Sequence, residues 1–211
     1  MEEQTTRGAK PAYHHGDLRQ ALIAAAEAEL AEKGVEGFSL RGCARRAGVS
    51  HAAPAHHFGD TAGLLTALAA DGYRRFVIAM QARLDEIADA DPFERLVAIG
   101  LGYIDFARAS PSLFRLMHSS FRPDFQSADV AVHARDAFAM LVGCVSAVRG
   151  EDATATLEGL NDIMAAWSVV HGMSDLILSG RTLLSTMQRV GSDENLRTIL
   201  RRTLPGGGAT R

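Results

Sequence analysis

The stretch that decides the fold runs from Gly37 to Gly59 and reads GFSLRGCARRAGVSHAAPAHHFG. It contains Arg41, Arg45 and Arg46 but no acidic residue, and His51, His56 and His57 crowd its second half. Ser39 is placed to cap a short helix bearing Leu40, Cys43, Ala44 and Ala47, Gly48 turns the chain, and Ser50 is placed to cap a second short helix ending at Phe58. Two short helices joined by a glycine-containing turn follow the helix-turn-helix plan, in which the second helix enters the major groove and the first crosses the backbone. The small side chains of Ala52, Ala53 and Ala55 would let that second helix approach base edges closely. A solvated basic face on an ordinary helical hairpin has the same composition, so charge alone leaves both readings open.

Working outward, apolar residues recur at steps of three and four almost from end to end, and alternating strand patterns with hairpin turns are missing. The expected fold is all-α. Upstream, Asp17 can cap a first helix carrying Leu18, Leu22, Ala25 and Leu30, with Gly34 as a left-handed exit. Downstream, a long helix from about Asp60 to Ala88 carries Leu64, Leu65, Leu68, Tyr73, Phe76 and Met80. Pro92 and Pro111 open two further helices, since proline is tolerated in a first turn. After a loop at Arg122-Pro123-Asp124, two long helices are expected over 127–149 and 152–179, and a last one ends at Pro205. These elements divide the chain into a flexible arm (1–16), a helix-turn-helix domain (17–60), a helical effector-binding and dimerisation domain (61–204) and a disordered tail (205–211).

With 211 residues, 47% hydrophobic and 22% charged, the chain can bury a core, which excludes wholesale disorder. A net charge of −3 removes any global positive field, so a nucleic-acid signal must be local. Cys43 and Cys144, far apart in helical patterns, fit reduced thiols in a cytoplasm. The amino terminus shows no signal peptide, and no apolar run of about 18 residues suggests a membrane span.

The order of residues, more than their composition, is specific. From DLRQALIAAAEAELAEKGVEGFSLRGCARRAGVSHAAPAHHFGDTAGLL the chain resembles the tetracycline-repressor (TetR) family of bacterial transcription regulators. Ala25-Ala26, Gly34, Phe38-Ser39, Ala44, Ala47-Gly48-Val49-Ser50, His57-Phe58 and Leu64-Leu65 fall at that family's spacing. In the body, AAWSVVHGM with Trp167, His171 and Gly172 is similar to the Trp-His-Gly (WHG) signature of one carboxy-terminal domain type of the family. The resemblance implies a three-helix DNA-binding head, a larger helical body that dimerises through its last two long helices, and release of DNA when a small molecule enters the body. It implies a homodimeric, ligand-responsive regulator, a repressor on a pseudo-palindromic double-stranded operator, with Arg41, Arg45, Arg46, Ser50, His51, Ala52, Ala53, His56, His57 and Thr61 near DNA.

The chain departs from the family pattern at His51, Pro54, Ala55 and Thr61, where a Lys, an aliphatic residue, a Tyr and a Lys are usual. Three phosphate contacts are thereby in doubt, and Pro54 should make the recognition helix start distorted or late. In the body, Ile163, Ala166, Val170, Met173 and Ile177 form one apolar stripe, while Asn161, Met164, Trp167, Ser168, His171 and Asp175 form a mixed one that suits either a ligand or a partner helix. Candidate ligand contacts are Phe106, Phe114, Met117, Met140, Asn161, Met164, Trp167 and His171, around a largely apolar effector; Asp105, Arg115, His118 and His133 are further polar candidates. No cofactor or metal is expected, since the adjacent pairs His14-His15 and His56-His57 diverge around a helix. Two other readings compete: a dimeric small-molecule-binding protein of this fold with weakened DNA contact, and an enzyme. The second has no nucleophile elbow or phosphate loop to support it.

Overall fold

Side-chain caps set most of the helix starts among the described residues. In the computed structural model, which describes residues 15–179 and 192–206, Ser39 accepts from the Gly42 amide at 3.1 Å and opens α2 (Leu40–Ala47). Asp60 accepts from Gly63 at 2.8 Å and opens α4 (Thr61–Asp85). Asp91 accepts from Phe93 and Glu94 ahead of α5 (Pro92–Ala109). The chain begins with α1 (His15–Gly37) and continues after α2 through α3 (Ala53–Phe58), and the body adds α6 (Pro111–Ser119), α7 (Ala128–Arg149), α8 (Leu157–Leu178) and α9 (Asp193–Thr203). Ser127, Thr156 and Ser192 cap the last three. No strand occurs among the described residues.

Four boundaries differ from the sequence expectation. First, α1 starts at His15, so Asp17 stands inside it; Gly34 does take a positive φ (66°), but with ψ of 179° it kinks the helix instead of closing it. Second, Ser50 does not cap α3: Ala52 occupies that place without a side-chain bond, and Pro54 sits in the first turn, which delays the start as expected. Third, α8 starts at Leu157. The Asp152 carboxylate bonds the Thr154 amide (2.8 Å) and hydroxyl (2.7 Å), which leaves Thr156 to cap. Fourth, α4 stops at Asp85, short of Ala88. Most of the expected arm and of the tail lies outside the described residues.

The head packs α1 to α3 around Ile23, Ala26, Leu30, Phe38 and Cys43, with Leu64, Leu65 and Leu68 of α4 closing its core. From there α4 runs into the body, where α5 is its central helix and is buried on nearly every side from Leu96 to Ala107. At Gly102 the α4 and α5 backbones touch: a Cβ there would stand 2.6 Å from the Met80 Cα. The stripe Ile163, Ala166 and Val170 turns α8 into the core as expected, and Leu196 and Leu200 of α9 cover the far side.

The outward faces of α7 and α8 leave Val132, Phe138, Leu157, Leu160, Met164 and Leu176 exposed. Contrary to the sequence expectation, one described helix, α7, is long and apolar enough to cross a membrane by length and composition, with mean hydropathy 1.4 over an 18-residue window.

Candidate functional site

The head presents a compact basic face. Arg41 and Arg45, four residues apart on α2, are exposed on one side and carry no ion pair to a described residue. Across the turn at Gly48 (φ 66°, ψ 30°), Ser50, His51, Ala52 and His56 are exposed, while Ala53 is half-buried and Pro54 buried against the head. His57 is half-buried with its ring 6.2 Å from that of Phe58, and the Arg19 guanidinium lies 5.4 Å above Phe58. Thr61 is the first residue of α4, half-buried at the edge of this face.

Arg46 does not belong to that face. Its Nε donates to Glu29 at 2.6 Å and its terminal nitrogen to Glu32, both on α1. Glu29 is 2% exposed, so Arg46 neutralises a buried carboxylate and fastens α2 to α1. These hydrogen bonds, that to Glu29 first, raise the guanidinium's pKa further. The acid-free run 37–59 hid these partners because they lie in the preceding helix.

The body holds a partly open cavity of about 300 Å³, with Phe138 and Trp167 exposed at its rim. Its walls are Tyr73, Phe76 and Met80 of α4, Leu96, Ile99, Gly100 and Tyr103 of α5, and His118 of α6. Ala134, Ala137, Phe138 and Leu141 of α7, Ala166, Trp167 and Val170 of α8, and Leu204 complete them. Aromatic edges dominate: Phe76 meets Tyr103 at 4.8 Å between centroids and His118 meets Phe114 at 4.7 Å. The Tyr103 hydroxyl pairs with His171 Nδ1 at 2.7 Å, and His171 Nε2 lies 3.7 Å from Asp175. Burial, aided by the neighbouring His171, holds the His118 imidazole down at about 4. Burial likewise raises the Tyr73 and Tyr103 phenols above their usual range.

Of the expected ligand contacts, Trp167 lines the cavity, and His171 supports the wall through Tyr103. Phe106, Phe114 and Met117 are buried core behind it, because α5 and α6 turn them toward neighbouring helices. Met140 is half-buried outside the wall, and Asn161 and Met164 point outward on α8. Among the further polar candidates only His118 reaches the cavity: Asp105 pairs with Arg83, Arg115 with the Leu178 carbonyl and His133 faces Asp136. Sequence reasoning missed the α4 and α5 walls, although Tyr73, Phe76 and Met80 recur at helical spacing.

Residues 22–68 match the family described as bacterial regulatory proteins, tetR family, and residues 96–202 match the tetracyclin repressor-like C-terminal domain. Trp167, His171 and Gly172 fall within the second match. A protein of unknown function from Rhodococcus sp. RHA1 is 30% identical, with a TM-score of 0.72 over 90% of this chain and 94% of that one. A TetR family transcription regulator from Marinobacter aquaeolei VT8 shares the fold at 20% identity and a TM-score of 0.62, over 87% and 91% of the two chains. The HTH-type transcriptional regulator BetI of Proteus mirabilis is 34% identical over 97 residues, which is 46% of this chain. The chain spans about half (48%) of the length of that curated relative.

Proposed function

Because the chain belongs to the TetR family of bacterial regulatory proteins, we propose that it is a cytoplasmic, homodimeric transcription regulator. In this reading it is a repressor that leaves a pseudo-palindromic operator when a small, largely apolar molecule enters the body, and it turns over no substrate. The observation that carries the reading is the place of α6. It contributes His118 to the cavity wall and packs against α1 of the head. Arg75 reinforces this junction by donating to Glu27 of α1 at 2.7 Å and to Ser110, at the start of α6, at 2.6 Å. A molecule that displaces His118 therefore pushes on an element joined to the DNA-facing domain, and a ligand that favours one head spacing shifts the population toward it.

The apolar side chains on α7 and α8 support pairing with a second copy through these helices. Lipid is a poorer cover, because Arg135 and Asp136 interrupt α7 where a membrane would demand apolar side chains. On the head, Arg41, Arg45, His51 and His56 supply the exposed donors for phosphates and base edges, and Ser50, Ala52, Ala53, His57 and Thr61 complete the face.

Footprinting and gel-shift on the DNA upstream of the protein's own gene test the reading. One protected, pseudo-palindromic site, with affinity falling as salt rises, is expected. Absence of any protected site at any salt would turn the assignment to a dimeric small-molecule-binding protein with weakened DNA contact. The pairing of Arg46 inside the head and the small side chains Ala55 and Thr61 favour that second reading.

A further inference from the structure

The wall of the body cavity contains one polar atom that is buried and unpaired, the Nε2 of His118. Of the polar side chains around it, Tyr103 and His171 are paired with each other, while the Tyr73 ring packs edge-on to His118 at 6.0 Å between centroids. With its Nε2–H turned toward Asp175, His171 accepts the Tyr103 hydroxyl at Nδ1, and the Trp167 indole is a further hydrogen-bonding neighbour of that hydroxyl. Among the described residues of the wall there is no Asp, Glu, Lys or Arg. A buried nitrogen without a partner is costly, and native proteins rarely tolerate one unless something that binds there completes it.

We infer that the ligand of this cavity is an uncharged aromatic molecule of one or two rings whose hydroxyl group pairs with His118 Nε2. Three observations set its chemistry. The volume, about 300 Å³, is about twice the roughly 150 Å³ that holds benzene in an engineered apolar cavity. Aromatic side chains form the wall from α4, α5, α7 and α8, which suits flat rings packed edge to face. A neutral imidazole nitrogen either donates or accepts according to tautomer, and a hydroxyl satisfies both cases, whereas a ketone or ether satisfies one. Carboxylates and amines are excluded because nothing in the wall would compensate a buried charge. The lowered titration of His118 agrees with this, since it keeps the ring neutral at physiological pH.

The inference rests on the cavity being the effector site of the proposed regulator, and the test separates the two. Equilibrium dialysis of the full chain against 2-naphthol, naphthalene and 2-naphthoate should give saturable binding of 2-naphthol. Its binding should be about tenfold tighter than that of naphthalene, and naphthoate should bind more than a hundredfold weaker. His118→Phe should abolish the preference for 2-naphthol while retaining naphthalene. Equal affinity for naphthol and naphthalene in the unaltered protein, a preference for naphthoate, or no binding of any of the three overturns the ligand class whether or not the variant folds. A parallel gel-shift reads the other claim. If 2-naphthol binds as expected but leaves the operator complex intact, the switching reading fails and the ligand assignment stands. Operator binding without any naphthol binding overturns the ligand class and leaves the DNA-binding regulator standing.

Discussion

His118 makes the fold of this protein sensitive to acid in a definite window. Its imidazole titrates near 6.5 in an unfolded chain, and burial lowers that to about 4 in the folded one. Between these values the unfolded state binds the extra proton, so stability falls as pH drops from 6.5 toward 4 and levels off below. At about 1.4 kcal/mol per pH unit, that interval amounts to about 3 kcal/mol. His118→Phe removes the titrating group and the unpaired nitrogen, and a phenyl ring has the neighbouring cavity to occupy. Above pH 6.5 the variant should equal the parent or exceed it by about 1 kcal/mol. At pH 4 its advantage should have grown by about 3 kcal/mol. Urea denaturation of both proteins between pH 7.5 and 4, at one fixed protein concentration because the proposed pairing would contribute to apparent stability, reads the difference directly. Histidines away from His118 are common to both proteins and drop out of the difference, and His171, 5.2 Å from His118 between ring centroids, is the one described neighbour that the substitution also touches. Parallel stability curves would refute the reasoning, because they would mean that water reaches the His118 ring and the cavity is open.

Arg41→Ala and Arg45→Ala should each weaken operator binding and flatten its salt dependence, by about 0.9 log unit per log salt for each phosphate contact removed, measured by fluorescence anisotropy. Arg46→Ala should instead lower the melting temperature of the head, since Glu29 would remain buried without its guanidinium partner; thermal melting followed by circular dichroism separates the two behaviours. Gly42→Ala would place a Cβ 1.9 Å from Glu29 Oε1, so it should push the carboxylate off Arg46 and lower the melting temperature much as Arg46→Ala does, read by the same circular dichroism melts. Leu160→Glu with Met164→Glu, both on the exposed face of α8, should give a monomer by light scattering that no longer binds its operator at micromolar concentration.

Helix starts were the most legible feature of the fold because their signals are local: Ser39, Asp60 and Ser127 accept from amides within three residues, Pro92 and Pro111 stand in first turns, and each marks its helix start where the sequence suggests. The misplaced starts have equally local causes. Asp152 spends its carboxylate on Thr154, and Pro54 leaves Ala52 to begin α3. What local reading could not supply is the partner across helices. Arg46 looked like a third free cation because Glu29 and Glu32 lie 17 and 14 residues away in sequence, and only the packing of α1 on α2 brings the charges together. The same packing separates Arg46 from Arg41 and Arg45, so three arginines of similar sequence context divide into one structural tie and two exposed donors.

The cavity was illegible for a different reason. Helical periodicity tells which face of a helix is apolar, and that face looks the same whether it meets another side chain or empty space. Tyr73, Phe76 and Met80 therefore read as ordinary core. The distinction lies in volume across the gap: between the rings of α4 and α5 and those of Phe138 and Trp167, the small side chains of Ala134 and Ala137 of α7 and Ala166 of α8 leave space. Protein interiors are close-packed, so space of this size either collapses or stays open for an occupant. The cavity is thus a property of helix spacing, and His118 and Trp167 are the sequence candidates whose roles depend on that spacing more than on their own helices.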